Sequence, residues 1–112
     1  MSIYLYQTFE LKQDKFKEAI DNLRKIQAFR KEQYNQHVEI LTPVAGKDHT
    51  YALLTIFEGL AEMELQDKKM FEDEEYLTLI SDFFLMNTVQ GSLETMIYRT
   101  ISKETKQQPK EK

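Results

Sequence analysis

A histidine and a carboxylate two residues apart carry the most direct chemical potential in this sequence. His37 and Glu39 stand at i and i+2 of the stretch "HVEIL". On a strand, both side chains leave the same face. A carboxylate at that distance could orient an imidazole for proton transfer or for haem ligation, so these two residues are the catalytic candidates. An ordinary polar contact at a sheet edge explains the pair equally well. The second histidine, His49, falls in a loop at the far end of the same hairpin. It lies roughly 26 Å away at about 3.3 Å per residue, so the two cannot share a metal within one chain. Tyr4, Tyr6, Tyr51 and Tyr98 form the other candidate set. Phenol hydroxyls in an apolar cavity could hold a carbonyl or quinone oxygen while the rings stack on an aromatic ligand. The competing reading is a packed seam in which those hydroxyls meet backbone or water.

Several other chemistries are excluded or disfavoured. There is no cysteine, which removes disulfides, thiol catalysis and thiolate metal sites. No Gly-rich phosphate loop, Ser-His-Asp constellation or metal-spaced His/Cys cluster is present. The acidic run Glu72–Glu75 suits the first turn of a helix, where carboxylates complement the helix dipole without a metal. Arg99 has the opposite parity to Tyr98 and is expected at a helix–sheet rim. No metal is expected, and no cofactor except haem at His37.

The chain has 112 residues, which suggests one domain, and 41% of them are hydrophobic, enough for a core. Thirteen aromatics, six Tyr and seven Phe, carry much of the area to be buried. The net charge of −4 is unevenly placed: Lys12 to Glu32 is +3, and Glu58 to Asp82 is −7. Both clusters read as solvated helix faces, and an acidic chain without a basic patch is a poor partner for nucleic acid or anionic membrane. No apolar run approaches the roughly 20 residues that span a bilayer, and no basic-then-apolar leader opens the chain. A cytoplasmic location is expected.

These candidates need elements to hold them. Ser2 to Leu11 reads as a strand with large apolar groups on both faces. Asp14 is a plausible cap for an amphipathic helix from Lys15 to Gln33, with Phe16, Ala19, Ile20, Leu23, Ile26 and Phe29 on its apolar side. Val38–Val44 and Thr50–Glu58 read as a hairpin around a loop at Ala45–His49. Pairing the more apolar sets predicts Val38 opposite Ile56, Ile40 opposite Leu54 and Val44 opposite Thr50, with His37 opposite Phe57. Two helices follow, Leu60–Phe71 and one capped by Asp73, broken near Glu72. Thr88–Ile101 reads as a last strand, interrupted at Gly91. The domain is expected to end at residue 102, and Lys103–Lys112 reads as a disordered polar tail.

The order β-α-β-β-α-α-β fits a ferredoxin-like α+β fold: one four-stranded antiparallel sheet with its helices on one face. The other face would carry Tyr4, Tyr6, Leu41, Tyr51, Leu53, Phe57, Met96 and Tyr98, too much apolar surface for a monomer to leave wet. A second copy of the chain would cover it most economically.

"IYLYQTFELKQDKFKEAI" resembles the first strand and helix of NIPSNAP-type proteins, whose pattern runs roughly Ile-Tyr-Glu-Leu-Arg-Thr-Tyr-Thr-Leu-Lys-Pro-Gly. Ile3, Tyr4, Thr8, Leu11 and Lys12 match it, and Phe9 stands for its Tyr. "YALLTIFEGL", an acidic helix and "FEDEEYLTLI" are similar to the later part of the same layout. Leu5 and Gln7 replace the Glu and Arg of the pattern, Gln13–Asp14 replaces Pro-Gly, and there is no Trp. The resemblance implies the dimeric α/β-barrel superfamily, in which two ferredoxin-like subunits face their sheets together. That superfamily also holds small cofactor-independent monooxygenases acting on aromatic substrates and haem-handling enzymes. No catalytic residue is carried over by motif, and the fold hosts many functions. The expectation is a homodimer that binds a small apolar or aromatic ligand between its sheets. A monooxygenase or haem enzyme using His37, and an interaction protein with a filled barrel, are the alternatives.

Overall fold

In the computed structural model, which describes residues 2–101, strand β1 (Ile3–Glu10) turns Ile3, Leu5 and Phe9 into the core. A 3-10 turn at Gln13–Lys15 leads into helix α1 (Phe16–Tyr34). Its buried stripe is Ala19, Leu23, Ile26 and Arg30, spaced four, three and four residues apart, which is one face of a helix. The helix stops at Asn35, whose left-handed backbone (φ 54°) returns its N–H to the carbonyls of Arg30 and Lys31.

Strands β2 (His37–Leu41) and β3 (Thr50–Phe57) follow, then helices α2 (Leu60–Phe71) and α3 (Glu74–Met86), then β4 (Glu94–Arg99). Asp73 caps α3 as expected, its carboxylate accepting from the Tyr76 N–H at 3.2 Å. The sheet order is β2-β3-β1-β4, and every neighbouring pair is antiparallel. This is the split βαβ arrangement of a ferredoxin-like fold.

The last strand is interrupted where the sequence suggested. Thr88 bridges Leu11 outside the main ladder, and Gly91 (φ 79°) makes a turn that an L side chain adopts only under strain. β2 is shorter than expected, ending at Leu41. Pro43 has no N–H to give a ladder, and Val44 stands 96% exposed. Residues 103–112, read above as a tail, lie outside the described residues.

The hairpin register differs from expectation by one residue. Val38 pairs with Thr55, Ile40 with Leu53 and Leu41 with Ala52, and His37 pairs with Ile56 rather than Phe57. The core therefore takes Tyr51, Leu53, Thr55 and Phe57 from β3, and the other face takes Ala52, Leu54 and Ile56. The expected open-face set is corrected accordingly: Tyr51, Leu53 and Phe57 point toward the helices, while Tyr4, Tyr6, Leu41, Met96 and Tyr98 keep their place. The physical reason is the bulk of the first set and a partner for its one polar member. Thr55, fully buried, accepts a hydrogen bond from Arg30 Nη2 at 3.0 Å, so a hydroxyl is satisfied inside the core.

Around Phe9 the core is aromatic. Its ring meets Phe83 edge-on at 5.4 Å and Phe84 at 5.8 Å. A smaller cluster joins Ile3, Leu5, Phe57 and Met63 under α2. At the far edge, Gln27 of α1 donates its side-chain N–H to the Val38 carbonyl of β2 at 2.8 Å.

Candidate functional site

Antiparallel pairing lays the open face out in rows. His37, Ile56, Tyr4 and Tyr98 form one row across the four strands, and Glu39, Leu54, Tyr6 and Met96 form the next. The face is thus apolar and aromatic in its middle, with a His/Glu pair at the β2 edge. Tyr6 and Tyr98 approach at 6.4 Å between ring centroids, tilted by 57°, and the Tyr98 hydroxyl donates to Met96 Sδ at 3.2 Å. Tyr4 belongs to the same face. Tyr51 does not: it is 8% exposed, pairs with Phe9 and packs on Phe16 at 5.9 Å, on the helix side. The structure brings three of the four expected tyrosines together.

The expected His37–Glu39 geometry is present, with His37 Nε2 and Glu39 Oε2 2.9 Å apart. Both side chains are more than half water-facing or close to it, at 64% and 50%. They border an open polar groove of about 660 Å³ shared with Gln27, Lys31, Glu32 and Asn35. An imidazole so placed can exchange protons with solvent, but one chain offers it no enclosed substrate space. Arg99 sits on the helix-side parity, opposite Ile3, and His49 lies outside the strands with φ 64°. Among the described residues no group of three His, Cys, Asp or Glu side chains could hold a metal.

A second site was missed by the sequence reading. Between the sheet and the helices lies a cavity of about 270 Å³. Leu5, Ile26, Leu53, Met70, Ile80, Phe84 and Ile97 give it apolar walls, and Arg30, Asp67, Tyr76, Gln7 and Thr95 give it polar ones. β4, exposed along its whole length, forms the outer side through Thr95 and Ile97.

Arg30 is the unusual member, a guanidinium only 2% exposed. Its Nε donates to Gln36 Oε1 at 2.7 Å and its Nη2 to Thr55. Gln36 in turn donates to Met70 Sδ at 3.5 Å, which ties α1, β3 and α2 together. Burial lowers the Arg30 pKa, the charges of Tyr76 and Asp67 opposing it, and burial raises that of Asp67, which Arg30 opposes. Desolvation dominates both groups, because no direct Arg30–Asp67 ion pair is made. Tyr76 is likewise raised, first by burial. The sequence signal for this site was available: Arg30 sits four residues after Ile26, on the apolar stripe of α1.

The chain overlays an uncharacterized NIPSNAP-like domain protein from Burkholderia xenovorans with a TM-score of 0.75 at 10% identity, over 93% of this chain and 89% of that one. The chain has a NIPSNAP-like, ferredoxin-like fold. The NIPSNAP-like fold also overlays SnoaB, a cofactor-independent oxygenase from Streptomyces nogalater, at TM-score 0.68 and 11% identity, covering 91% of this chain and 95% of that one. A dimeric protein of unknown function from Bacteroides fragilis, itself ferredoxin-like, matches at TM-score 0.65 and 12% identity over 88% and 96%. No family model matches the chain, and no curated protein does. Among the described residues no helix is long and apolar enough to cross a membrane.

Proposed function

We propose that this protein is a small-molecule-binding domain that works as a cytoplasmic homodimer. Its ligand is apolar or aromatic and sits in the cavity between sheet and helices, and the open sheet face is given over to the second copy. The carrying observation is the cavity itself, with mostly aliphatic and aromatic walls and a few convergent polar groups, the usual make-up of a ligand site. Its volume of about 270 Å³ suits a small ligand. Tyr4, Tyr6 and Tyr98 then pack the seam between two sheets rather than line the ligand.

The dimer is supported by the apolar rows of the open face, where Met96 and Tyr98 are 38% and 52% exposed in one chain. Contiguous apolar surface of this kind marks an interface, and the Bacteroides fragilis neighbour is described as dimeric. The test is calorimetric titration of an aromatic panel against the protein and against Ile80→Trp, a variant that fills the cavity. Binding should be lost in the variant while sedimentation still reports a dimer. Binding that survives Ile80→Trp, or no binding by the parent, refutes the cavity reading.

The overlay on SnoaB supports a second reading, in which the bound aromatic is a substrate for a cofactor-independent oxygenase. Oxygen uptake with aromatic substrates, lost in His37→Ala while the fold is kept, supports that reading. A haem Soret shift on titration, abolished by the same variant, supports the haem alternative instead.

A further inference from the structure

The cavity holds a cation that makes no direct ion pair. A guanidinium has five N–H donors. Here Nε is used by Gln36 and one N–H of Nη2 by Thr55. Among the described residues Arg30 makes no further hydrogen bond and no ion pair, which leaves both donors of Nη1 and one of Nη2. The Nη1–Nη2 edge of the planar group carries one N–H from each nitrogen, two parallel bonds that match the two oxygens of a carboxylate. The group is 2% exposed, so the charge has lost nearly all its bulk hydration, and it borders the cavity. A buried charge that makes no ion pair is costly, and an anion entering this space offsets part of that cost.

We propose that the ligand is a small apolar or aromatic monocarboxylic acid. Its carboxylate binds the Nη1–Nη2 edge of Arg30, and its hydrocarbon body lies against Ile26, Met70, Ile80 and Phe84. The proposal rests on the cavity being the ligand site. It also gives a role to the acid on the wall. Asp67 does not touch Arg30, and burial raises its pKa, so its ionised form is disfavoured there. Ionised, it opposes an incoming carboxylate and sets an upper limit on affinity. Gln7, Thr95 and Tyr76 are the uncharged polar residues that line the same space.

The test uses two probes with one hydrocarbon body, 2-naphthoate and 2-naphthamide, titrated by calorimetry against the full chain near neutral pH in a buffer free of carboxylates. Both should bind, and both should be lost in Ile80→Trp. The naphthoate should bind tighter by about tenfold or more, the gain expected when a neutral hydrogen bond becomes charge-assisted. Asp67→Asn should bind naphthoate at least as tightly as the parent does, keep the preference for it, and leave naphthamide unchanged. Arg30→Gln should bring the two affinities together, and if that variant does not fold, the parent and Asp67→Asn titrations decide the matter. Equal affinities in the parent, or an Asp67→Asn variant that does not favour the anion, overturn the carboxylate inference and leave the cavity reading intact. Failure of both probes to bind, or binding that persists in Ile80→Trp, overturns the cavity reading and this inference with it.

Discussion

Thr55→Val tests the register and the buried arginine together. The substitution keeps the shape of the side chain and removes the hydroxyl that accepts from Arg30 Nη2 at 3.0 Å in a fully buried position. A hydrogen bond to a charged group is worth about 1.5–3 kcal/mol net, and here the donor left behind is itself buried. Valine recovers a few tenths of a kcal/mol to about 1 kcal/mol through strand preference and apolar contact. The expected loss is therefore about 1–2.5 kcal/mol. For a domain of this size each kcal/mol lowers Tm by about 4 °C or more, so the fall should be roughly 4–10 °C. Urea unfolding at one fixed protein concentration should show a lower midpoint with an unchanged slope. The control is Thr8→Val on the open face, which should stay within about 0.5 kcal/mol of the parent. A Thr55→Val midpoint equal to or above the parent's would falsify both the buried pair and the one-residue shift that places Thr55 in the core. In the register expected from the sequence, Thr55 faces outward and its hydroxyl is dispensable.

Further outcomes follow from other contacts. The Tyr34 hydroxyl donates to Asp73 at 2.5 Å, which raises the Tyr34 pKa to about 12. A raised pKa stabilises the fold fully below the free tyrosine value and is lost as pH climbs through about 12, so Tyr34→Phe should flatten the alkaline decline in Tm between about pH 10 and 12. The same bond lowers the Asp73 pKa, so its contribution is present above the usual aspartate value and lost as pH falls below it. Asp73→Asn should accordingly flatten the acid limb. Met96→Lys with Tyr98→Glu places charges on the β4 side of the open face, and sedimentation should move from the proposed dimer toward monomer without loss of far-UV circular dichroism. His37→Ala should leave Tm within about 1 °C, since an exposed side chain contributes little to stability, and a larger loss would place His37 in a packed interface.

The fold was legible because its signals are local. The stripe of α1, the Asp73 cap and the glycine turn at Gly91 each depend on neighbours a few residues away, and all are found in place. The hairpin register was misread because it depends on contacts distant in sequence. Thr55 is polar, and β3 is apolar at Ala52, Leu53, Leu54 and Ile56 alike, so parity alone could not choose a face. Two groups outside the hairpin settle it: Phe9 on one neighbouring strand, and Arg30, which turns a threonine into a core residue. The same shift moved Tyr51 out of the expected tyrosine set. The His37–Glu39 pair was legible as a pair, since an i, i+2 spacing on a strand is geometry enough. The helix-side cavity was not, because its walls come from six elements and its cation was assigned to the solvent side of α1.

Gln27 does more than join α1 to β2. An edge strand offers a row of free N–H and C=O groups that invite another chain to add itself, and unchecked addition leads to fibres. Gln27 occupies one of those carbonyls, Val38, from within the molecule. β2 is also only five residues long and carries Glu39, so this border is both short and partly blocked. β4 is left as the accessible border, with Glu94 and Arg99 at its two ends. With the β2 border blocked, the broad apolar face is the surface on which the proposed dimer would form, and face-to-face association closes after two copies.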